Sequence, residues 1–306
     1  MPVKPGIKRV AIVTGAGGGL GRAYALDLAA RGLRVVVNNR RRDVDAAGLG
    51  SAQRVVQEIL ANGGEAIAHE ADVCDSASGA ALVTQALASW GRLDAVVANA
   101  GIDQHKAFHK ISVDEFRAIF AVNFFGSLYL LHAAYVHMRA NNHGRMVVST
   151  SSAGLHGLHG LSAYAASKAA LIGLMRSVAA EGQAHDVLCN AVAPYAATRM
   201  TAAHGDAAFV ARMRPEHVAP LVALLVSEHC RINGQTIVAG GGGFRAAAMV
   251  EAPGIVFADA ATVRPQDLEA HFLAPFAAAD AMTFPDALEA CSHFMQGLGQ
   301  VTDANH

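Results

Sequence analysis

The stretch TGAGGGLG, residues 14–21, constrains what this chain can fold into more than any other. A β-branched run, RVAIVTG (9–15), leads into it, and a helix-compatible run, GRAYALDLAARG (21–32), leads out. Glycines at this point let the backbone turn tightly and bring its N–H groups close to a ligand. A helix that starts there adds the positive end of its dipole, so the turn suits a pyrophosphate. Strand, glycine turn and helix in succession form the opening of a dinucleotide-binding unit.

The rest of the chain continues the alternation. Strands are expected at 9–15, 34–39, 65–72, 93–101, 144–152, 187–194 and 234–241, with helices near 20–31, 50–62, 76–90, 113–139, 162–182 and 215–227. Seven strands joined by right-handed crossovers give an α/β fold, a Rossmann-type doubly wound parallel sheet. It occupies one dinucleotide-binding and catalytic domain, residues 1–243. After GQTIVAGGGG the alternation stops, and 244–306 read as a helical C-terminal extension packed on that domain, with helices near 265–278 and 285–297 and no further strand. Leu268, Phe272, Phe276, Leu288, Phe294 and Met295 are too apolar for a disordered tail.

Composition narrows the partners. Charged residues are 16% of the 306 and hydrophobic ones 53%, against about 25% charged in a typical chain. The surplus points to burial between subunits, hence a homodimer or homotetramer. A net charge of −1 without a long basic tract argues against nucleic acid or an anionic membrane as partner. Cys74, Cys189, Cys230 and Cys291 are far apart and form no CxxC pair, as befits reduced thiols in a cytoplasmic protein. The N-terminus has too short an apolar core for a signal peptide. Ala118–Met138 lacks Asp, Glu, Lys and Arg over the ~20 residues that span a bilayer, yet includes Asn123, His132 and His137, so a helix buried by protein is expected there. No histidine pair shows metal spacing with a carboxylate, and no metal is expected. His156 and His159, between Ser151 and Tyr164, are expected to face solvent, with contact to substrate as the alternative.

The second strand ends in VVVNNRRRD, residues 35–43. In such folds this end meets the adenosine ribose, where an acid favours NAD and an arginine accommodates a 2′-phosphate. Here Asn39 is uncharged and Arg40, Arg41 and Arg42 follow. Guanidinium groups bind phosphate through charge-assisted hydrogen bonds. NADP(H) is therefore the expected cofactor, with Arg40 its leading contact and NAD(H) the alternative.

A second motif, YAASK, places Tyr164 and Lys168 four apart on one helical face. An ammonium there is expected to lower the phenol pKa and make Tyr164 a general acid/base near neutral pH. Ser151 precedes it by thirteen residues, at a strand end, and is suited to hydrogen-bond the same substrate oxygen.

Together TGAGGGLG, ANAG (98–101), Asn123, STSS (149–152), YAASK and NAVAP (190–194) resemble the short-chain dehydrogenase/reductase family, over about residues 7–243. GRAYALDLAARG, SAYAASKAAL and the run from RMT to PEHVAPLVALLVSE are similar to the (3R)-hydroxyacyl-CoA, or 17β-hydroxysteroid, dehydrogenase units of peroxisomal multifunctional β-oxidation enzymes. The resemblance implies an enzyme that interconverts a secondary alcohol and a ketone. Tyr164 would exchange the proton, Ser151 polarise the substrate oxygen, Lys168 also bind the nicotinamide ribose, and Asn123 hold a proton-relaying water. Gly15, Gly19, Leu20 and Gly21 would border the pyrophosphate; Asp72 and Val73 would contact adenine. Asn99, Ala100 and Gly101 would support the adenosine half, with Pro194 and Thr198 at the nicotinamide. The helix containing Ala118–Met138 would pack against its symmetry mate.

Two departures qualify this. Those units carry Asp where this chain has Asn39, so their NAD preference does not transfer, and the 306 residues hold no hydratase unit. Substrate candidates are a 3-hydroxyacyl-CoA, whose phosphates Arg199, Arg212 and Arg214 could meet, and a hydroxysteroid or similar bulky alcohol. The segment 198–215 is expected to be a lid over it. The competing class is a cofactor-binding regulatory relative without turnover, which an intact Ser–Tyr–Lys set disfavours.

Overall fold

The computed structural model describes residues 8–41, 44–197, 207–272 and 280–297. The expected strands appear as β1 (Val10–Thr14), β2 (Arg34–Asn38), β3 (Glu65–His69), β4 (Ala95–Ala98), β5 (Gly144–Ser149), β6 (Val187–Pro194) and β7 (Thr236–Gly240), all parallel. An eighth, β8 (Gly243–Ala247), runs antiparallel to β7 and corrects the expectation of no strand beyond 243. The glycine run that reads as a loop is its turn: Gly241 and Gly242 have φ of +57° and +84°, and Gly240 pairs with Gly243. Because β8 is exposed nearly throughout, its sequence shows no apolar alternation.

The sheet order is β3-β2-β1-β4-β5-β6-β7-β8. The direction of winding reverses between β1 and β4, which opens a crevice at the carboxyl ends of those strands. Helices cover both faces. On one side α1 (Gly19–Ala30), α2 (Ser51–Ala61) and α9 (Ala219–Leu225) pack Tyr24, Leu28, Ile59 and Leu225 against Ala11 and Val13. On the other, α3 (Ser78–Trp90), α5 (Gly126–Ala140) and α7 (Ser162–Gly182) pack Leu82, Leu130, Met138 and Met175 against Val10 and Ile12. Alternate residues of β1 thus feed opposite cores, and burial on both faces explains why its sequence is continuously apolar.

The run expected as one helix over 113–139 is α4 (Val113–Phe120), a π-helical turn Ala121–Phe125, and α5. Val113–Ala140 is long and apolar enough to cross a membrane by length and composition, and 44% of its most apolar window is buried within the protein. At its foot a Cβ on Gly79 of α3 would collide with the Tyr129 carbonyl, so the two helices touch backbone to backbone. Two short helices, α6 (Ser152–His156) and α8 (Ala207–Arg212), lie outside the expected elements.

The chain divides into Met1–Ala247 and Ala248–His306. The second unit carries α10 (Pro265–Phe272), α11 (Ala287–Gly297) and a bridge between Glu251 and Met282. Both helices fall where expected, and Leu288, Phe294 and Met295 are exposed. Phe276 and residues 198–206 of the expected lid lie outside the described residues.

Candidate active site

β1 delivers the chain into the glycine turn with Gly15 at φ +64° and Gly19 at φ +52°. A Cβ on Gly15 would stand 2.8 Å from Ala100 Cα, and one on Gly21 would collide with the Gly15 carbonyl. The turn therefore lies directly on the end of β4, with no room for side chains. Asn99 fastens it there: Asn99 N donates to Thr14 Oγ1 at 3.0 Å, its Nδ2 to Thr14 O at 3.1 Å, and its Oδ1 accepts from Ser149 Oγ at 3.1 Å. Three strand ends are held in register by this one amide.

The crevice is a cavity of about 430 Å³. Gly15, Gly19, Leu20 and Gly21 form its floor, and Asn99, Ala100 and Gly101 its middle. Tyr164, Lys168 and Pro194 close one end, while Val73, Asn39 and Arg40 line the other. Asp72 does not line it but holds Arg40, whose Nη1 donates to Asp72 Oδ2 at 3.0 Å. Thr198, Arg42 and Arg199 lie outside the described residues. Residues outside the quoted motifs also line the cavity: Ser51, Arg54, Ile102 and Val122. Of these, Ser51 follows Gly50 at a recognisable helix start; the others face the crevice only because of the chain's path in space.

At the closed end, Ser151 caps α6, its Oγ accepting from Ala153 N at 3.1 Å, and stands near enough to the Tyr164 phenol to lower its pKa. Lys168, one turn beyond Tyr164, is buried and donates from Nζ to Ser149 O at 2.7 Å. Its Nζ lies 5.9 Å from the centre of the Tyr164 ring. Asn123 sits in the π-helical turn, which aims its side chain inward: Oδ1 accepts from Ile102 N at 2.8 Å, and Nδ2 donates to Ile102 O and Ser167 Oγ, both at 3.0 Å. A Cβ on Gly101 would be 3.3 Å from both Asn123 Oδ1 and Lys168 Nζ, so Gly101 is the gap through which the two polar groups approach.

Electrostatics departs from expectation here. Burial raises the Tyr164 pKa, Ser151 opposes it, and Asp103 adds to it. Burial also lowers Lys168 to about 8. Both groups are pushed toward their neutral forms, because removing a charge's solvent outweighs what spacing alone predicts. Among the described residues no three His, Cys, Asp or Glu side chains are placed to hold a metal ion. His156 ends α6 and is exposed, as is His159, while the His105 ring lies against Gly160.

The residues present fit a dinucleotide. The glycine turn packs so closely that a Cβ on Gly15, Gly17 or Gly21 would meet its neighbours, and the buried Asn38 side chain leaves its Oδ1 without a hydrogen-bond partner at the cavity wall. Its Nδ2 is committed to His69 O and Ala71 O, both at 3.0 Å, so the free oxygen awaits a donor from a ligand.

Comparison with known proteins agrees with this geometry. The model of the short chain dehydrogenase family matches residues 9–208. This chain is a short-chain dehydrogenase. It is 42% identical over 241 residues to a short-chain type dehydrogenase/reductase of Mycobacterium tuberculosis, covering 78% of this chain and 84% of that one. Peroxisomal multifunctional enzyme type 2 of mouse is 42% identical over 236 residues, covering 76% of this dehydrogenase and 32% of the mouse protein. The solved structure of the Drosophila melanogaster protein of that name superposes with a TM-score of 0.79 at 31% identity, covering 95% of this chain and 49% of the fly one. The dehydrogenase thus resembles one unit of those longer proteins, as its motifs imply. Family membership makes it an oxidoreductase that uses NAD(P)(H).

Proposed function

We propose that this short-chain dehydrogenase interconverts a secondary alcohol and a ketone, preferring NADP(H), with Tyr164 as general acid/base. One observation carries the reading: Tyr164, beside Ser151 and one turn from Lys168, closes the end of a crevice that begins at the glycine turn. The bound nicotinamide would supply or accept the hydride. Gly15, Gly19, Leu20 and Gly21 would hold the pyrophosphate and Lys168 the nicotinamide ribose. In the reductive direction the neutral Tyr164 phenol donates its proton to the substrate oxygen while the Ser151 hydroxyl orients that oxygen. Asn123, fixed by three hydrogen bonds, would position a relay water behind Lys168.

The NADP(H) preference is supported by the two guanidinium groups, Arg40 and Arg54, at the adenosine end of the crevice. The substrate is a bulky hydroxy or keto compound, a 3-hydroxyacyl-CoA or a hydroxysteroid, by likeness to the multifunctional enzymes. Arg212, at the end of α8, and Arg214, exposed and 3.4 Å from Glu216, would be the acyl-CoA contacts among the described residues. The protein works in the cytoplasm as a homodimer or homotetramer, a reading supported by its four unpaired cysteines and by exposed Val113, Phe125 and Val136 on the α4–α5 run.

The test is NADPH-dependent reduction of acetoacetyl-CoA and of a 17-ketosteroid by the purified protein and by Tyr164→Phe. The variant should lose roughly 10²- to 10⁴-fold in turnover while its NADPH affinity stays within about twofold. A variant that keeps full activity removes Tyr164 from the mechanism, and a wild-type protein that binds nucleotide but turns over neither substrate favours the regulatory class.

A further inference from the structure

Two buried serines grip Asn123, one at its backbone and one at its side chain. Ser127, in the first turn of α5, donates from Oγ to Asn123 O at 2.9 Å. Ser167, on α7, accepts from Asn123 Nδ2 at 3.0 Å and donates from Oγ to Tyr164 O at 2.7 Å. A serine that bonds back to the carbonyl three or four residues earlier is neutral to slightly unfavourable for a helix. Helix stability therefore gives no reason for either residue. Their partners do, because Asn123 and Tyr164 both belong to the reacting end of the crevice.

Ser167 acts on both. A hydroxyl has one proton to donate. With that proton on Tyr164 O, Ser167 presents only a lone pair to Asn123, which suits the amide N–H₂ and repels the amide oxygen. Ile102 makes the same demand, since its N–H faces Asn123 Oδ1 at 2.8 Å and its carbonyl faces Nδ2 at 3.0 Å. The amide is thus pinned between the chain after β4 and α7 with a single polarity. That polarity places Oδ1 across the Gly101 gap from Lys168 Nζ, each 3.3 Å from where a Gly101 Cβ would stand. An acceptor facing an ammonium is favourable there, whereas a reversed amide would aim N–H₂ at it. The π-helical turn supplies the inward aim of Asn123, and Ser167 supplies its stop.

We infer that Ser167 is a positioning residue of the reaction: with its proton on Tyr164 O and its lone pair on Asn123, it holds the Asn123 amide oxygen toward Lys168 and ties that amide to the helical turn that carries Tyr164. The inference rests on the reading of Tyr164 as general acid/base. Ser167 does not line the crevice, and its effect on turnover runs through Asn123.

The experiment is steady-state reduction of acetoacetyl-CoA and of a 17-ketosteroid with NADPH by the full-length wild-type protein, Ser167→Ala, Ser167→Thr, Asn123→Ala, the variant carrying both alanines, and Tyr164→Phe, each with its Tm and NADPH affinity. Ser167→Ala should lower kcat roughly 3- to 10-fold, as loss of one neutral hydrogen bond would, with KM and NADPH affinity within about twofold. Ser167→Thr keeps the hydroxyl but adds a methyl at a fully buried position. Overpacking costs stability, so its Tm should fall while its kcat stays close to that of the wild type. In the Asn123→Ala background, Ser167→Ala should change kcat less than about twofold, since nothing is left for it to position. Unchanged kcat in Ser167→Ala, turnover that follows Tm across the alanine and threonine variants, or an equal loss in the Asn123→Ala background would overturn the role of Ser167 alone. Full activity in Tyr164→Phe would overturn the acid/base reading, and the role of Ser167 with it.

Discussion

Lys168 and Tyr164 stand one helical turn apart, and burial acts on each against its charged form. For Lys168, whose pKa in the fold is about 8 against about 10.4 in an unfolded chain, the sign for stability follows directly. Below pH 8 the native state carries an ammonium in a desolvated site. Between about pH 8 and 10 the unfolded chain binds more protons than the folded one, so stability rises with pH through that window. Lys168→Met should therefore raise stability at pH 7 by on the order of 1–3 kcal/mol, less what Ser149 O forfeits when its donor goes. The gain should shrink as pH climbs from 8 to 10, while turnover is lost. Thermal melts of both proteins across that range check it, and a lower Tm for the variant at pH 7 would contradict the cost assigned to the buried charge. The Ser151, Tyr164 and Lys168 positions were legible in the sequence because their spacing is fixed by one helix and one strand end. The direction of the tyrosine shift was not, because desolvation depends on everything packed around the phenol, and spacing carries none of that. Arg54 escaped notice for a similar reason: it reaches the cavity only through the path of the 44–50 turn.

Among the elements, strands buried on both faces, such as β1 and β2, declared themselves as continuous apolar runs, and all seven parallel strands lie within their expected spans. β8 did not, since an exposed edge strand needs no alternation and its turn is made of glycines that read as linker. The π-helical turn was equally silent; AVNFF has the composition of ordinary helix, and only the inward aim of Asn123 shows what the wider turn accomplishes. The contact of α3 with α5 supplies a prediction at this scale. Gly79 meets the Tyr129 backbone where any Cβ would overlap it, and backbone cannot move aside as a flexible side chain can. Gly79→Ala should push the helices apart and cost about 1–3 kcal/mol, read as a lower midpoint in urea with little change in slope. An unchanged midpoint would mean that α3 and α5 are free to slide. Because α5 leads out of the π-helical turn, the same substitution should also loosen Asn123, seen as a drop in kcat larger than the change in nucleotide affinity.

For the molecule as a whole, the low proportion of charge has to be reconciled with where the apolar surface lies. The two cores on either side of the sheet account for much of the apolar content, yet Val113, Phe125 and Val136 remain exposed at 66%, 42% and 61% along the α4–α5 run. Scattered apolar residues are normal on a monomer, but here they fall on one uninterrupted helical segment of 28 residues. Only 44% of that segment's most apolar stretch is covered by its own chain. Exposed apolar side chains along one long apolar helix are what a subunit interface leaves behind when one copy is viewed alone. Packing of this helix against its symmetry mate would cover the stretch and remove the need for charges there. Val136→Glu places a carboxylate in the middle of that contact, where an unpaired buried charge is costly. Wild-type protein should sediment as a dimer or tetramer at micromolar concentration, and Val136→Glu as a smaller species with its nucleotide affinity intact, since Val136 is remote from the crevice-lining residues in sequence and absent from them in space. A wild-type monomer would instead leave this helix as exposed apolar surface needing another cover, and the 16% charge as a property of the fold alone.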